Sequence, residues 1–254
     1  MNEIKLGLKL WSINYSLTEE AQKLINAGFF DYIELMPVPH TDIRPFQKIK
    51  APYIIHITSE LYGLNIASKE KNASNLEIIK ECFKWADVLK AKYLILHPGF
   101  GEIETAQDFL EKIEDKRILI ENMPKVGTND ESMVGFSPNQ VKALINNKFG
   151  VCLDLNHAIK AAISLKKDYK EYIKEFLELN PAMFHISDGR LGEEKDEHLN
   201  IGEGGYDFKF LLDCVNHNKA KHMTMETPRS NLDSLAEDLE NRKILNNLTE
   251  LTNN

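Results

Sequence analysis

Short, nearly continuous apolar runs recur along this chain, and most of them end in a carboxylate or an imidazole. The runs PYIIHIT, YLILHPG, RILIENM, GVCLDLNH, MFHISD and MTMETP place His56, His97, Glu121, Asp154 with His157, His185 and Glu226 at or near their ends. Asp196 and His198 follow in the loop-like segment DEHLNIGEG. Apolar runs without alternation suit parallel strands buried on both faces. A ligand-type residue at the end of run after run suits strands whose C-terminal ends converge on one site.

Eight strand-like runs are expected: Ile4–Trp11, Asp31–Met36, Pro52–Ile57, Tyr93–His97, Arg117–Asn122, Val151–Leu155, Met183–Ser187 and Met223–Thr227. Each is short, rich in Ile, Leu, Val or aromatics, and bounded by turn formers. Helical spacing is expected over Thr18–Ala27, Ser74–Leu89, Ala106–Ile113, Pro138–Ile145, Tyr169–Leu179, Phe208–Val215 and Leu232–Leu245. The link Pro37–Lys50 is short and Pro-rich, which argues against a full helix there. Alternating strands and helices with no break in composition predict one α/β domain over residues 1–254. Eight such units close into a (β/α)8 TIM barrel, for which about 250 residues is a usual length. A doubly wound open sheet is the competitor. It would be favoured by a G-x-G-x-x-G turn after the first strand, and none is there.

Bulk properties narrow the function. The formal net charge is −8, which argues against broad nucleic-acid binding through a basic surface. It leaves room for a local phosphate site, because bound cations would offset carboxylates. No run of about 20 apolar residues is present, so no membrane helix is expected. The start MNEIKLGLKLW lacks signal-peptide features, and a cytoplasmic monomer is the expectation. Cys82, Cys152 and Cys214 are far apart and form no C-x-x-C pair, so they read as buried thiols rather than disulfides or zinc ligands.

The chemistry is therefore assigned to imidazole and carboxylate. Glu121, Asp154, His185 and Glu226 come from four expected strands and make a hard N/O cage for a divalent ion. His56 and His97 could hold a neighbour, with Glu121 bridging. His157, Asp196 and His198 could hold a third ion. Zinc, manganese and iron all suit such donors. Adjacent ions suit phosphate ester hydrolysis, because they supply a nucleophile at neutral pH and neutralise phosphoryl charge. A lone strand histidine is more often structural than a ligand. However, five of the eight histidines fall in this set, and converging buried carboxylates need cations. His40, His217 and His222 are read as loop or helix residues with no part in the site.

Taken together, the motifs resemble those of the endonuclease IV family within the xylose isomerase-like barrel superfamily. They are His56 followed by Leu64-Asn65-Ile66-Ala67-Ser68; Leu96-His97-Pro98-Gly99; Glu121-Asn122; Cys152-Leu153-Asp154 with His157-Ala158; His185 with Asp188; Asp196-Glu197-His198 leading to Ile201-Gly202-Glu203-Gly204; and Glu226-Thr227. The resemblance implies a trinuclear zinc centre: His56, His97 and Glu121 on one ion, Glu121, Asp154, His185 and Glu226 on the second, and His157, Asp196 and His198 on the third. It implies cleavage of DNA on the 5′ side of abasic sites, with Glu121, Asp154 and Glu226 serving the chemistry directly. The departures are confined to loops. The spacing from His56 to Asn65 is longer than usual, and Met36-Pro37-Val38-Pro39-His40 carries no arginine. Glu197 replaces the usual arginine between Asp196 and His198. They leave the ligand set intact and bear on whether the substrate is duplex DNA or a small phosphate ester.

Two further readings are open on sequence. A sugar isomerase or epimerase would need only one ion on Glu121, Asp154, His185 and Glu226, with two carboxyl groups moving protons beside a carbonyl. It leaves the other ligand-type residues without a task. A non-catalytic binding module on a metal-stiffened barrel is the third.

Overall fold

The computed structural model describes residues 4–252. Eight parallel strands close into a barrel in chain order: β1 (Lys5–Trp11), β2 (Tyr32–Met36), β3 (Tyr53–His56), β4 (Leu94–Leu96), β5 (Ile118–Glu121), β6 (Gly150–Asp154), β7 (Met183–Ile186) and β8 (His222–Met225). Closure is by β1 against β8, with Leu6 beside Met223. The helices are α1 (Thr18–Asn26), α2 (Asn72–Val88), α3 (Ile103–Leu110), α4 (Pro138–Ile145), α5 (Leu155–Ser164), α6 (Tyr169–Leu177), α7 (Phe208–His217) and α8 (Ala236–Thr252). This is the TIM barrel expected from the alternating pattern. The Pro-rich link after β2 holds only one 3-10 turn, Phe46–Lys48, as its composition implied.

Alternation along each strand builds the site. One set of side chains faces the helices and forms the larger apolar core. The other set faces the barrel axis, and there a smaller apolar cluster of Tyr32, Ile54, Ile95, Leu119, Cys152 and Met183 plugs the lumen. Two residues further along the same strands come Glu34, His56, His97, Glu121, Asp154 and His185. A period of two thus stacks a polar layer directly on an apolar one, toward the C-terminal mouth. Gly7 makes room for this packing, because a Cβ there would lie 2.3 Å from the Tyr32 ring.

Two expectations need correction. The segment after β6 is helical at once: Asp154 ends the strand and caps α5, accepting the His157 N–H at 2.7 Å. His157 therefore stands on the first turn of a helix absent from the expected set, although Leu155, Ala158, Ile159, Ala162 and Ile163 recur at helical spacing. His222, expected in a loop or helix, opens β8 at the far end of the barrel from His56, His97, His157, His185 and His198.

Candidate metal centre at the barrel mouth

His56, Glu121 and Asp154 are the last residues of their strands, His185 lies within β7, and His97 and Glu226 lie one residue beyond β4 and β8. The polar layer converges on Glu121, which is fully buried. Its Oε2 lies 3.3 Å from His56 Nε2 and 3.1 Å from His97 Nε2. Its Oε1 lies 3.0 Å from His185 Nδ1 and 3.5 Å from His157 Nδ1. Glu226 Oε1 is 3.4 Å from His185 Nδ1. Asp196 Oδ2 is 3.5 Å from His157 Nε2 and 3.1 Å from His198 Nε2. All nine ligand-type residues singled out in the sequence therefore meet at one place.

Three overlapping groups present donor atoms within 4.8 Å of one another: His56, His97 and Glu121; Glu121, Asp154, His185 and Glu226; and Asp154, His157 and His198. The first two are the groupings expected from the strands. In the third, Asp154 takes the place expected for Asp196, while Asp196 touches both of its histidines. Glu121 and Asp154 each belong to two of these groups.

The rings are fixed by their outer nitrogens. His56 Nδ1 contacts the Ile57 carbonyl and His157 Nδ1 the Asn122 carbonyl, each at 2.9 Å. His97 Nδ1 faces Glu60 Oε2 at 3.3 Å, and His185 Nε2 faces Glu34 Oε2 at 3.0 Å. Each contact leaves one ring nitrogen directed into the cluster, the usual way a protein orients histidine ligands. Asp154 is tied down through its backbone, by Asn122 on both its N–H and its carbonyl.

The donors suit a hard or borderline cation. Asp154 Oδ2 is buried without a hydrogen-bond partner, and His198 Nε2 has none of hydrogen-bond geometry despite its nearness to Asp196. Buried polar atoms in that state are ones that a water or a bound ion can satisfy. Charge is finely balanced. Burial favours the neutral acid at Glu121, but His185 and His97 outweigh it and hold the carboxyl well below its usual range. Burial and the charges of Glu121 and Glu226 push Asp154 upward against His157. Burial opposes the charge of His97, but Glu121 and Glu60 raise it to about 10. His198 is raised to about 9 by Asp196 against burial. Burial pushes the Cys152 thiol up, which disfavours a thiolate beside Glu121 and His185.

Two site residues lie outside the sequence-derived set. Lys9 on β1 donates to Glu34 Oε1 at 2.6 Å and also to Glu226 Oε1. Glu34 on β2 also accepts from Thr224 Oγ1 at 2.6 Å. Their signal is a charge flanked on both sides by apolar strand residues, two residues past an inward-facing Gly7 or Tyr32.

The mouth opens into a cavity of about 680 Å³. Phe100, Leu61 and Met133 supply its apolar wall, and Glu60, Glu131 and Lys71 its charged rim. Its far wall rests on the 188–206 loop, which Asp188 organises. That buried carboxylate accepts the backbone N–H groups of Gly189, Gly202, Gly204 and Tyr206 at 2.8, 2.9, 2.9 and 3.2 Å. Fully buried Lys160 donates to the carbonyls of Arg190 and Glu193 and to Glu197 Oε1, each at 3.1 Å. Glu197 thus turns inward to fix the loop. Asp188→Ala is expected to cost about 2–4 kcal/mol, because several donors lose one charged acceptor. Urea denaturation measures this, and limited proteolysis should show new cleavage within residues 190–205. Gly204→Ala should act similarly, since its Cβ would meet the Gly189 carbonyl oxygen at 2.5 Å.

Comparison with known proteins agrees with this architecture. A family model described as xylose isomerase-like TIM barrel matches residues 21–248. A probable endonuclease 4 of Mesomycoplasma hyopneumoniae is 31% identical over 202 residues, spanning 70% of this chain and 67% of the relative. One of Halothermothrix orenii is 27% identical over 206 residues, spanning 70% and 72%. Among solved structures, a D-tagatose 3-epimerase-like protein superposes with a TM-score of 0.77 at 21% identity, covering 98% of both chains. Endonuclease IV of Thermus thermophilus gives 0.72 at 19% identity, covering 97% of this chain and 99% of that one. On the strength of the family match and these relatives, the chain belongs to the xylose isomerase-like TIM barrel family.

Proposed function

We propose that this chain is a metal-dependent phosphoester hydrolase of the endonuclease IV type. The observation that carries the reading is the sharing of Glu121 and Asp154 between adjacent donor groups, which links three cation positions into one cluster. His56, His97 and Glu121 would hold one ion, Glu121, Asp154, His185 and Glu226 a second, and His157 and His198 with Asp154 or Asp196 a third. Zinc fits these donors, and manganese or iron would also be accepted. Bound ions would supply a nucleophile from water at neutral pH and neutralise charge on a phosphoryl group. The chain's own part is positioning. Asn122, Glu60, Glu34 and the Ile57 carbonyl fix the donors, while Phe100 and Leu61 offer an apolar face beside them.

The relatives named probable endonuclease 4 make an abasic-site phosphodiester the first substrate to test. The rim favours an ester presented singly rather than a long duplex. Lys71 is the one lysine or arginine among its described lining residues, against Glu60, Glu131 and Asp196. Duplex binding rests on several phosphate contacts from cations. The expected result is about three ions per chain in protein purified without chelators, one for each of the three groups assigned an ion above. The same protein should cleave an abasic-site oligonucleotide, leaving a 3′-hydroxyl, and a chelator should abolish cleavage. Loaded protein that leaves the oligonucleotide whole but releases phosphate from a small sugar phosphate would move the substrate, not the chemistry.

A second reading has one observation in its favour. Glu121, Asp154, His185 and Glu226 form a compact four-donor group by themselves. A single ion there, with ketose interconversion and no hydrolysis, would replace the hydrolase reading with a sugar epimerase.

A further inference from the structure

Two further groups bring donor atoms within 4.8 Å of one another: one uses the Cys152 thiol with Glu121 and His185, and the other is Glu34, His56, His185 and Glu226. All four residues of the second are buried. Lys9 stands among them. β1 and β2 run side by side with Lys9 in register with Glu34, and β8 flanks β1 on its other side. The ammonium thereby reaches Glu34 Oε1 and Glu226 Oε1 together. Lys9 is only 5% exposed, so water does not compete for these bonds. His185 turns Nε2 to Glu34 and leaves Nδ1 for Glu121 and Glu226.

We propose that Lys9 is a built-in cation that fills the Glu34–His56–His185–Glu226 group and so closes it to metal. The ammonium supplies the positive charge that two buried carboxylates require. A divalent ion entering the same few ångströms would be repelled by it. An ion would also have to take His185 Nε2 away from Glu34. The group is therefore a metal site in its donors but a lysine site in its occupancy. The ammonium also keeps Glu226 Oε1 engaged, so that Glu226 meets the central ion from a fixed direction. This rests on the reading of the outer groups as metal-binding only for that last consequence.

The test is metal content with Zn²⁺ as the sole added metal. Wild type, Lys9→Met and the charge-balanced Lys9→Met/Glu34→Gln protein are each equilibrated with Zn²⁺, desalted and analysed. Lys9→Met is expected to bind one more ion per chain than wild type, and the double variant is expected to return to the wild-type count. Equal counts in wild type and Lys9→Met overturn the proposal. Should Lys9→Met fail to fold in chelator, the proposal requires that Zn²⁺ restore its far-UV circular dichroism and thermal transition. A chain that stays unfolded in excess Zn²⁺ while the double variant folds overturns it too. Wild type that binds no Zn²⁺ sinks the hydrolase reading. The difference between wild type and Lys9→Met still decides the role of Lys9.

Discussion

Glu121→Gln is expected to abolish hydrolysis and to empty two neighbouring ion positions at once. Four candidate ligands surround its carboxylate: His56 and His97 approach one of its oxygens, and His185 and His157 the other. Glutamine keeps the shape and one acceptor oxygen but removes the negative charge and offers an NH2 donor to the other histidines. A neutral amide cannot bridge two cations, so both groups that share Glu121 are weakened together. Activity should fall by about 10³-fold or more, the scale on which a single charge-stabilising group contributes to a transition state. Metal content should fall by more than one ion per chain. Asp154→Asn, which sits between the second and third groups, should release a different pair of ions. A Glu121→Gln enzyme that keeps full metal content would show that the ions do not share this carboxylate.

The ligands are legible in the sequence for a reason that also hides part of the site. A buried parallel strand reads as an apolar run, so a carboxylate or imidazole at its end stands out. Six of the nine residues are marked in this way, by runs closing on His56, His97, Glu121, Asp154, His185 and Glu226. Lys9 and Glu34 lie inside their runs. A charge within a strand reads equally as an outward, solvated position, and only barrel closure places both at the axis. Helix α5 lies outside the expected set although its pattern is present. Residues 155–162 are all buried, His157 and Lys160 included, yet Leu155, Ala158, Ile159, Ala162 and Ile163 recur at helical spacing, and Asn156, Lys160 and Ser164 do so on another side. Its start is masked, because Asp154 ends β6 and caps α5 in the same residue. The same turn brings Asp154 Oδ2 within 3.8 Å of His157 Nδ1, while Asp196 Oδ2 lies 3.5 Å from His157 Nε2, so both carboxylates flank that ring. Glu197 reads, on sequence, as a departure from a basic position facing DNA. Its pairing with Lys160 and Arg190 shows instead a loop anchor, and Lys160 lies far away along the chain.

Removing metal should make the stability of the protein fall as pH rises, and restoring it should cancel that dependence. In the metal-free chain His97 and His198 are raised to about 10 and about 9. The unfolded chain titrates its histidines near 6.5. A raised folded value means that the folded state binds the extra protons more tightly than the unfolded one. Their contribution is therefore fully present below about pH 6.5 and is lost as pH climbs through the folded values. His157 and His185 are raised as well, against burial, by the surrounding carboxylates, and act in the same direction. The total is on the order of a few kcal/mol, because the groups share the same carboxylates and do not add independently. Cations that bind the cluster replace these protons, so binding at pH 7 should release at least two protons per chain. Isothermal titration in buffers of different ionisation enthalpy counts them. Thermal melts of chelated protein between pH 6.5 and 9.5 should fall steadily, while melts in excess Zn²⁺ should not, and the gap should widen with pH. His97→Gln with His198→Gln should flatten the metal-free profile. A metal-free midpoint that stays level or rises over that range would mean that the histidines of the mouth are not held charged by Glu121, Glu60 and Asp196, and that the cluster is not balanced as a cation site.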